Sequence, residues 1–251
     1  VYKRQVKRYL AAVSARNDWP CQPPSRFDTS GSRCCASPYQ TPAETGQSTS
    51  RIVIPDQVSE LLNVSRETTN KFQVYLTLLE KWQRRINLVS KSTLADAWQR
   101  HILDSGQLAA YYPPQTRQIL DVGSGAGFPG LVLAIMGGVT VDLVESDQRK
   151  AVFLLTVIRE LGLPAKVHNQ RIETMPNLCP DVITARALAP VPKLLNLIET
   201  QLNSDGVCLF LKGASVEDEL TNLQSYSTMV ATTYPSLSSA NGVVLELKNP
   251  R

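Results

Sequence analysis

The sequence predicts an α/β fold: a doubly wound, mostly parallel sheet preceded by a small helical unit. Three observations predict it. An apolar run, Ile119-Leu120-Asp121-Val122, leads into a glycine-rich stretch, Gly123-Ser124-Gly125-Ala126-Gly127-Phe128-Pro129-Gly130, and then into apolar residues 131–136. After this stretch, strand-like and helical patterns alternate; before it, apolar residues recur at helical spacing. A strand, a glycine loop and a helix in succession form the first unit of a sheet that binds a ligand over its strand ends.

Taken in order, residues 1–50 show no sustained period and are rich in Pro, Ser, Thr and Gln from Pro20 onward. Such a composition buries too little apolar surface to order itself, so a disordered or spurious leader is expected. Its Arg- and Ser-rich, acid-poor character leaves a transit peptide open. Residues 51–112 form the helical unit, with the helical period taking over from Pro55. Phe72, Tyr75, Leu76, Leu79, Trp82 and Ile86 recur at three and four residues, predicting an amphipathic helix of about five turns. Lys71, Glu80, Lys81, Arg84 and Arg85 lie on its other face. A second helix is expected over 94–110, stopping before Pro113-Pro114.

Residues 113–251 form the sheet domain. Strands are expected at 118–122, 139–144, 165–168, 182–185 and 207–211, with helices at 131–136, 149–161, 192–201 and 216–224. Gly162-Leu163-Pro164 is a helix stop. Asn241-Gly242 before Val243-Val244-Leu245-Glu246-Leu247 predicts a final antiparallel strand or hairpin.

Composition sets limits on function. With 251 residues and 43% hydrophobic content, the chain can bury a full core and a smaller satellite. No apolar run reaches membrane-spanning length. The net charge of +4 lies wholly within residues 1–50, and the rest sums to zero. Any case for a nucleic-acid partner must therefore rest on local clusters. Cys21, Cys34, Cys35, Cys179 and Cys208 match no zinc spacing, so no metal and a reduced compartment are expected. Cys208, within an apolar strand, reads as a small core residue.

Two ligands compete for the glycine loop. Gly125, Gly127 and Gly130 satisfy a dinucleotide spacing. Asp121 at the lip, however, would repel a pyrophosphate and favour the ammonium and sulfonium of S-adenosylmethionine. Glu145 ends the second strand, 24 positions after Asp121, where a carboxylate can accept ribose hydroxyls. The plainer alternative is that Asp121 caps a helix and Glu145 is a solvated strand end.

Four motifs then occur in order: Asn87-Leu88-Val89-Ser90, Arg100-His101-Ile102-Leu103-Asp104-Ser105, the stretch from Asp121 to Gly130, and Arg186-Ala187-Leu188-Ala189-Pro190. Together with Lys212-Gly213 they resemble the bacterial RsmG (GidB) family, which methylates a guanine N7 of small-subunit ribosomal RNA. The resemblance runs from about Gln57 to the C-terminus. It implies a Rossmann-like class I methyltransferase fold with a seven-stranded sheet, S-adenosylmethionine as donor, and 16S rRNA or the small ribosomal subunit as acceptor. It also implies that Gly123 and Phe128 line the donor site, that Ile172 and Glu173 hold the adenine end, and that Arg186 lies beside the methionine end. Ala185 stands where relatives often carry Ser.

Guanine N7 carries a free lone pair and no proton, so its methylation needs no general base. Arg186 is read as a holder of the donor carboxylate or an RNA phosphate; the alternative is a surface arginine paired with Asp181 or Glu199. His101 and Asp104, three apart on a helix, can share a face. His101 and Asn87 are candidate site residues, against a structural histidine and a turn asparagine. His168 reads as a strand-end residue without a role. Phosphate contacts are expected from Lys81, Arg84, Arg85, Lys91 and Arg100, with Arg149 and Lys150 as a second cluster. Trp82 and Trp98 are interleaved with them, although Trp82 falls on an apolar face and reads as core. A cytoplasmic monomer is expected.

Overall fold

The computed structural model describes residues 55–221 and 228–249, so the expected leader at residues 1–50 lies outside the described residues. Seven strands build one sheet: β1 (Gln118–Val122), β2 (Thr140–Val144), β3 (Ala165–His168), β4 (Val182–Arg186), β5 (Val207–Lys212), β6 (Val230–Pro235) and β7 (Val243–Lys248). Their spatial order is β3-β2-β1-β4-β5-β7-β6. Strands β1 to β5 are parallel, and β7 lies antiparallel between β5 and β6. The expected α/β class and final hairpin are both present. The sequence reading did not single out β6, because it is an edge strand with almost every residue exposed and no alternation to read.

Strand side chains alternate between faces, and the two faces carry separate cores. Ile119, Val141, Leu143, Val182 and Leu209 pack on one side with α2 (Arg66–Gln83), α5 (Gly130–Met136) and α6 (Gln148–Leu161). Leu120, Val122, Ile183, Cys208 and Phe210 pack on the other side with α7 (Val191–Ile198) and α8 (Val216–Thr221). Cys208 is fully buried, and burial pushes its thiol up to about 12, as befits a core residue. The remainder of the helix expected to end at Gln224 falls on residues that are not described.

A short helix α1 (Pro55–Leu62) precedes α2 and buries Val58 and Leu62. Ser65 caps α2 by accepting from the Thr68 amide at 3.1 Å. Phe72, Tyr75, Leu76 and Leu79 are its buried stripe, at the predicted spacing. The helix stops at Gln83, short of Ile86, because Gln83 Oε1 accepts from the Leu88 and Val89 amides and its Nε2 donates to Val89 O. Trp82 packs on Phe153, ring centroids 5.7 Å apart, and Trp98 meets Phe72 edge-on at 6.2 Å. Both tryptophans are thus engaged with the core.

The single helix expected over 94–110 is replaced by four short pieces: α3 (Lys91–Leu94), a π-helical stretch Trp98–Leu103, α4 (Asp104–Gly106) and a 3-10 turn Gln107–Ala110. The wider turn is closed by the Asp104 amide on Gln99 O, and within it His101, Ile102 and Leu103 are all buried.

Phe153 is fully buried on α6 and faces two rings of α2, Tyr75 at 6.4 Å and Trp82 at 5.7 Å. Phe153→Ala should therefore lower unfolding stability by about 3–5 kcal/mol. Urea titration should show one cooperative transition displaced to lower denaturant; an unchanged midpoint would contradict this shared packing.

Candidate active site

The loop after β1 is held open by three left-handed glycines, Gly123 at φ 68°, Gly125 at 57° and Gly127 at 93°. Side chains other than glycine rarely adopt this region. The loop is pinned from three directions. Ser124 N donates to Val144 O at 3.0 Å, Gly125 N donates to Glu145 Oε2 at 2.8 Å, and Tyr75 Oη donates to Ala126 O at 2.5 Å. The first N–H groups of α5 are partly consumed within the loop, since Leu131 N donates to Gly127 O at 2.7 Å.

Asp121 sits beneath this loop rather than on its lip. It is fully buried, with Oδ1 accepting from Thr184 Oγ1 at 2.8 Å, a partner supplied by the β1–β4 register. Its Oδ2 lies against Gly130 and has no hydrogen-bond partner among the described residues. Burial raises its carboxyl to about 6, an effect that the Thr184 and Ser124 hydroxyls, the Gly130 amide and the Arg186 charge only partly offset. The carboxylate can act on the space above only through the loop. Glu145, at the end of β2, is nearly buried and ties two turns together: Oε2 takes the Gly125 amide and Oε1 takes the Asp147 amide at 2.7 Å. Each of its oxygens keeps a further lone pair.

Two clefts lie over the C-terminal ends of the strands. The smaller, of about 310 Å³, is lined by Gly123, Gly125, Glu145, Ile172, Glu173 and Lys150, among others. The larger, of about 880 Å³, is lined by Ser90, Arg100, His101, Asp104, Lys212, Ser238 and their neighbours. Arg186, Ala187 and Leu188 line both, so the turn after β4 is their shared wall. Ala187 holds a left-handed φ of 51°, uncommon for a residue with a Cβ and the kind of strain that collects at functional sites.

Arg186 is the centre of this wall. Its Nη1 donates to Arg100 O at 3.2 Å and His101 Nδ1 at 3.1 Å, with Asp104 Oδ2 at 3.7 Å. Its guanidinium carbon stands 4.8 Å from the Phe128 ring centre. The partner is thus Asp104, and the alternative pairing with Asp181 or Glu199 is not formed; Asp181 instead caps the Arg117 and Gln118 amides. Burial lowers the Arg186 pKa, opposed first by the charge of Asp104. His101 stacks on Phe128 at 4.7 Å and 18°, and its Nε2 meets Thr93 Oγ1 at 3.0 Å. Burial, and then Arg186 and Arg100, push its pKa down to about 3. The ring is therefore neutral, with Nδ1 accepting from Arg186 and Nε2–H donating to Thr93.

The remaining expected residues divide. Phe128 is buried as the platform beneath His101 and Arg186, and does not line the smaller cleft. Ile172 and Glu173 open a 3-10 turn on that cleft's rim, with Glu173 paired to Arg171 at 3.2 Å and its carboxyl held below the usual range by a hydrogen bond to its own backbone and by Arg171. Asn87 is exposed, bonded to Gln83 at 3.2 Å and outside both linings, which is the geometry of a turn residue. Arg84, Arg85, Lys91 and Arg100 are all exposed, but only Arg100 reaches the larger cleft. His168, expected to have no role, ties β3 to β2 through Asp142 at 2.6 Å.

The sequence reading gave no site role to Lys212 or Glu219, or to the serines of the β6–β7 loop beside the larger cleft. Lys212 Nζ donates to Ala189 O at 2.7 Å and pairs with Glu219 at 2.9 Å, while Glu219 also accepts from Val191 N at 2.7 Å. Ser236 and Ser238, between β6 and β7, bond to Asp104 across more than 130 positions. No sequence period signals such long-range pairs.

Residues 68–243 match the family described as rRNA small subunit methyltransferase G. The ribosomal RNA small subunit methyltransferase G of Rhodospirillum rubrum is 48% identical over 193 residues, 77% of this chain and 96% of that relative. The one from Rhodospirillum centenum is 50% identical over 184 residues, 73% of this chain and 85% of that relative. Among solved structures, a mutant of MtNAS in complex with S-adenosylmethionine superposes with a TM-score of 0.51 at 18% identity, covering 80% of this chain and 86% of that one. A SAM-dependent methyltransferase from Aquifex aeolicus gives 0.50 at 14% identity, covering 68% and 97%. At such identities the two structures share the fold with this one, whereas the sequence matches span most of both partners: the chain belongs to the rRNA small subunit methyltransferase G family.

Proposed function

We propose that this chain transfers a methyl group from S-adenosylmethionine to N7 of a guanine in 16S rRNA, acting as a cytoplasmic monomer on the RNA or the small ribosomal subunit. The observation that carries this reading is the pair of clefts meeting at Arg186, one over the glycine loop and one whose lining includes Arg100, Lys212, Ser90 and Ser238. Family membership supplies the reaction class: an S-adenosylmethionine-dependent rRNA methyltransferase. Among the described residues no helix is long and apolar enough to cross a membrane.

The smaller cleft fits the donor. The lone pairs left on Glu145 can accept ribose hydroxyls, Ile172 offers an apolar face to the adenine, and the glycines leave the loop free of side chains. When bound, the donor supplies an electrophilic methyl on a sulfonium. Everything else is positioning, which can contribute about 7–11 kcal/mol to a transfer between two held reactants. Among the described residues, Arg186 Nε and Nη2 make no hydrogen bond, so these donors are free to hold the donor carboxylate or an RNA phosphate. Arg186 must leave N7 itself unblocked, since O6 and N7 share one guanine edge. Neutral His101 keeps a second cation away from a site whose product guanine is itself positive. Arg84, Arg85, Lys91 and Arg100 are read as phosphate contacts, Arg100 at the larger cleft and the other three on the exposed surface, and Asn87 as a support of the turn that lines the cleft.

The function is tested with labelled S-adenosylmethionine and small-subunit particles lacking the modification. Label at N7 of one guanine supports the reading, and tight donor binding without transfer contradicts the acceptor. Gly123→Val should raise the donor Kd by about a hundredfold or more, because φ 68° strains a branched residue and its Cβ would meet Leu188 Cδ1 at 2.7 Å. Calorimetric titration showing parental affinity would remove the loop from the site. His101 carries a folded pKa near 3, below its unfolded value of about 6.5. The unfolded chain therefore binds more protons between these values, and the stability His101 allows at neutral pH is lost as pH falls through that window. His101→Gln should lose stability less steeply between about pH 6.5 and 4 than the parent. Identical acid limbs in urea titrations would contradict a neutral, buried His101.

A further inference from the structure

We propose that Asp104 is a positioning residue: its carboxylate, held by the loop between β6 and β7, fixes the Arg186 guanidinium on the wall between the two clefts. The case begins with how the two carboxylate oxygens are used. Oδ1 accepts from Ser238 Oγ at 2.6 Å, Gln107 Nε2 at 3.1 Å and Ser236 Oγ at 3.4 Å. Oδ2 faces Arg186 Nη1 at 3.7 Å. Three neutral donors on one oxygen set the rotation of the carboxylate and leave the other to the arginine. Both side chains of the pair are only 19% exposed, so solvent screens their attraction weakly.

The donors are themselves fixed. Gln107 Nε2 also donates to Asp104 O and to Ser236 Oγ, both at 2.9 Å, while its Oε1 accepts from Leu237 N at 2.7 Å. Gln99 Nε2 donates to Ser238 O at 2.9 Å. The network thus ties the broken helical segment to the hairpin loop whose Ser238 and Asn241 line the larger cleft. An arginine placed only for fold stability needs a counter-charge; it does not need that charge oriented by a loop that also walls the acceptor cleft. The arrangement holds Nη1 in place and leaves Nε and Nη2 to work at the boundary.

The kinetic arm of the test rests on the methyl-transfer reading; a spectroscopic arm does not. Methyl transfer to undermodified small-subunit particles is measured for the parent, Asp104→Asn, Ser238→Ala, Arg186→Ala and the double variant Asp104→Asn with Arg186→Ala. The Nε–H signal of Arg186 is followed in parallel in arginine-labelled protein, assigned by its loss in Arg186→Ala. Asp104→Asn should lower kcat by about tenfold or more and Ser238→Ala less, with no further loss when Asp104→Asn is added to Arg186→Ala. The Arg186 signal should broaden in both single variants. Multiplying losses in the double variant, or an unaltered Arg186 signal, would overturn the proposal. Should Asp104→Asn not fold, Ser238→Ala decides by the same signal. If the parent itself transfers no methyl, the function fails and the spectrum still decides the positioning role.

Discussion

The arrangement over the strand ends depends on one costly placement, a guanidinium taken largely out of water at the C-terminal end of β4. Arginine does not shed its charge under such conditions, so its surroundings must meet it. They do so with four unlike groups drawn from two segments: the Arg100 carbonyl, the neutral His101 nitrogen and the Asp104 carboxylate from the helical segment, and the Phe128 ring from the glycine loop. The π-helical turn that interrupts the helical segment brings His101 inward beside Ile102 and Leu103 and joins directly to Asp104. The irregular segment thus supplies three of the four groups that meet Arg186.

A second constraint couples the helical segment to the loop. Tyr75, fully buried on α2, donates to the Ala126 carbonyl and packs on Phe128 at 5.2 Å. Glu145 holds the other side of the same loop through the Gly125 amide. The loop is thus clamped between the sheet and the helices, and its shape does not depend on a ligand to create it. Preorganisation of this kind lowers the ordering cost of binding. The helices before the sheet are therefore part of the site's framework as well as a surface carrying basic residues.

Much of the architecture could be read from the chain because its signals are local. The glycine loop, the strand–helix alternation, the stripe from Phe72 to Leu79 and the stop at Gly162 each depend on neighbours within a few positions, and each is present. The helix expected over 94–110 failed because periodicity assumes a regular turn, and here tertiary demands on His101 and Asp104 override it. Strand β6 carries no alternation because it lies at an exposed edge. At the site, residue types were legible but their directions were not. A carboxylate before a glycine loop reads as a ligand group, yet the β1–β4 register hands Asp121 to Thr184 beneath the loop. Asp104 showed only as a face-mate of His101, since its partners Ser236 and Ser238 arrive from more than 130 positions away.

The central claim is that donor and base occupy separate clefts divided by Arg186 and the turn that follows it. A crystal structure with S-adenosylhomocysteine and guanosine monophosphate bound together tests it most directly. The account predicts the nucleoside of the homocysteine compound between Glu145 and Ile172, the guanine in the larger cleft, and Arg186 between them. Both ligands in one cleft, or a guanine bound away from Arg186, would contradict it.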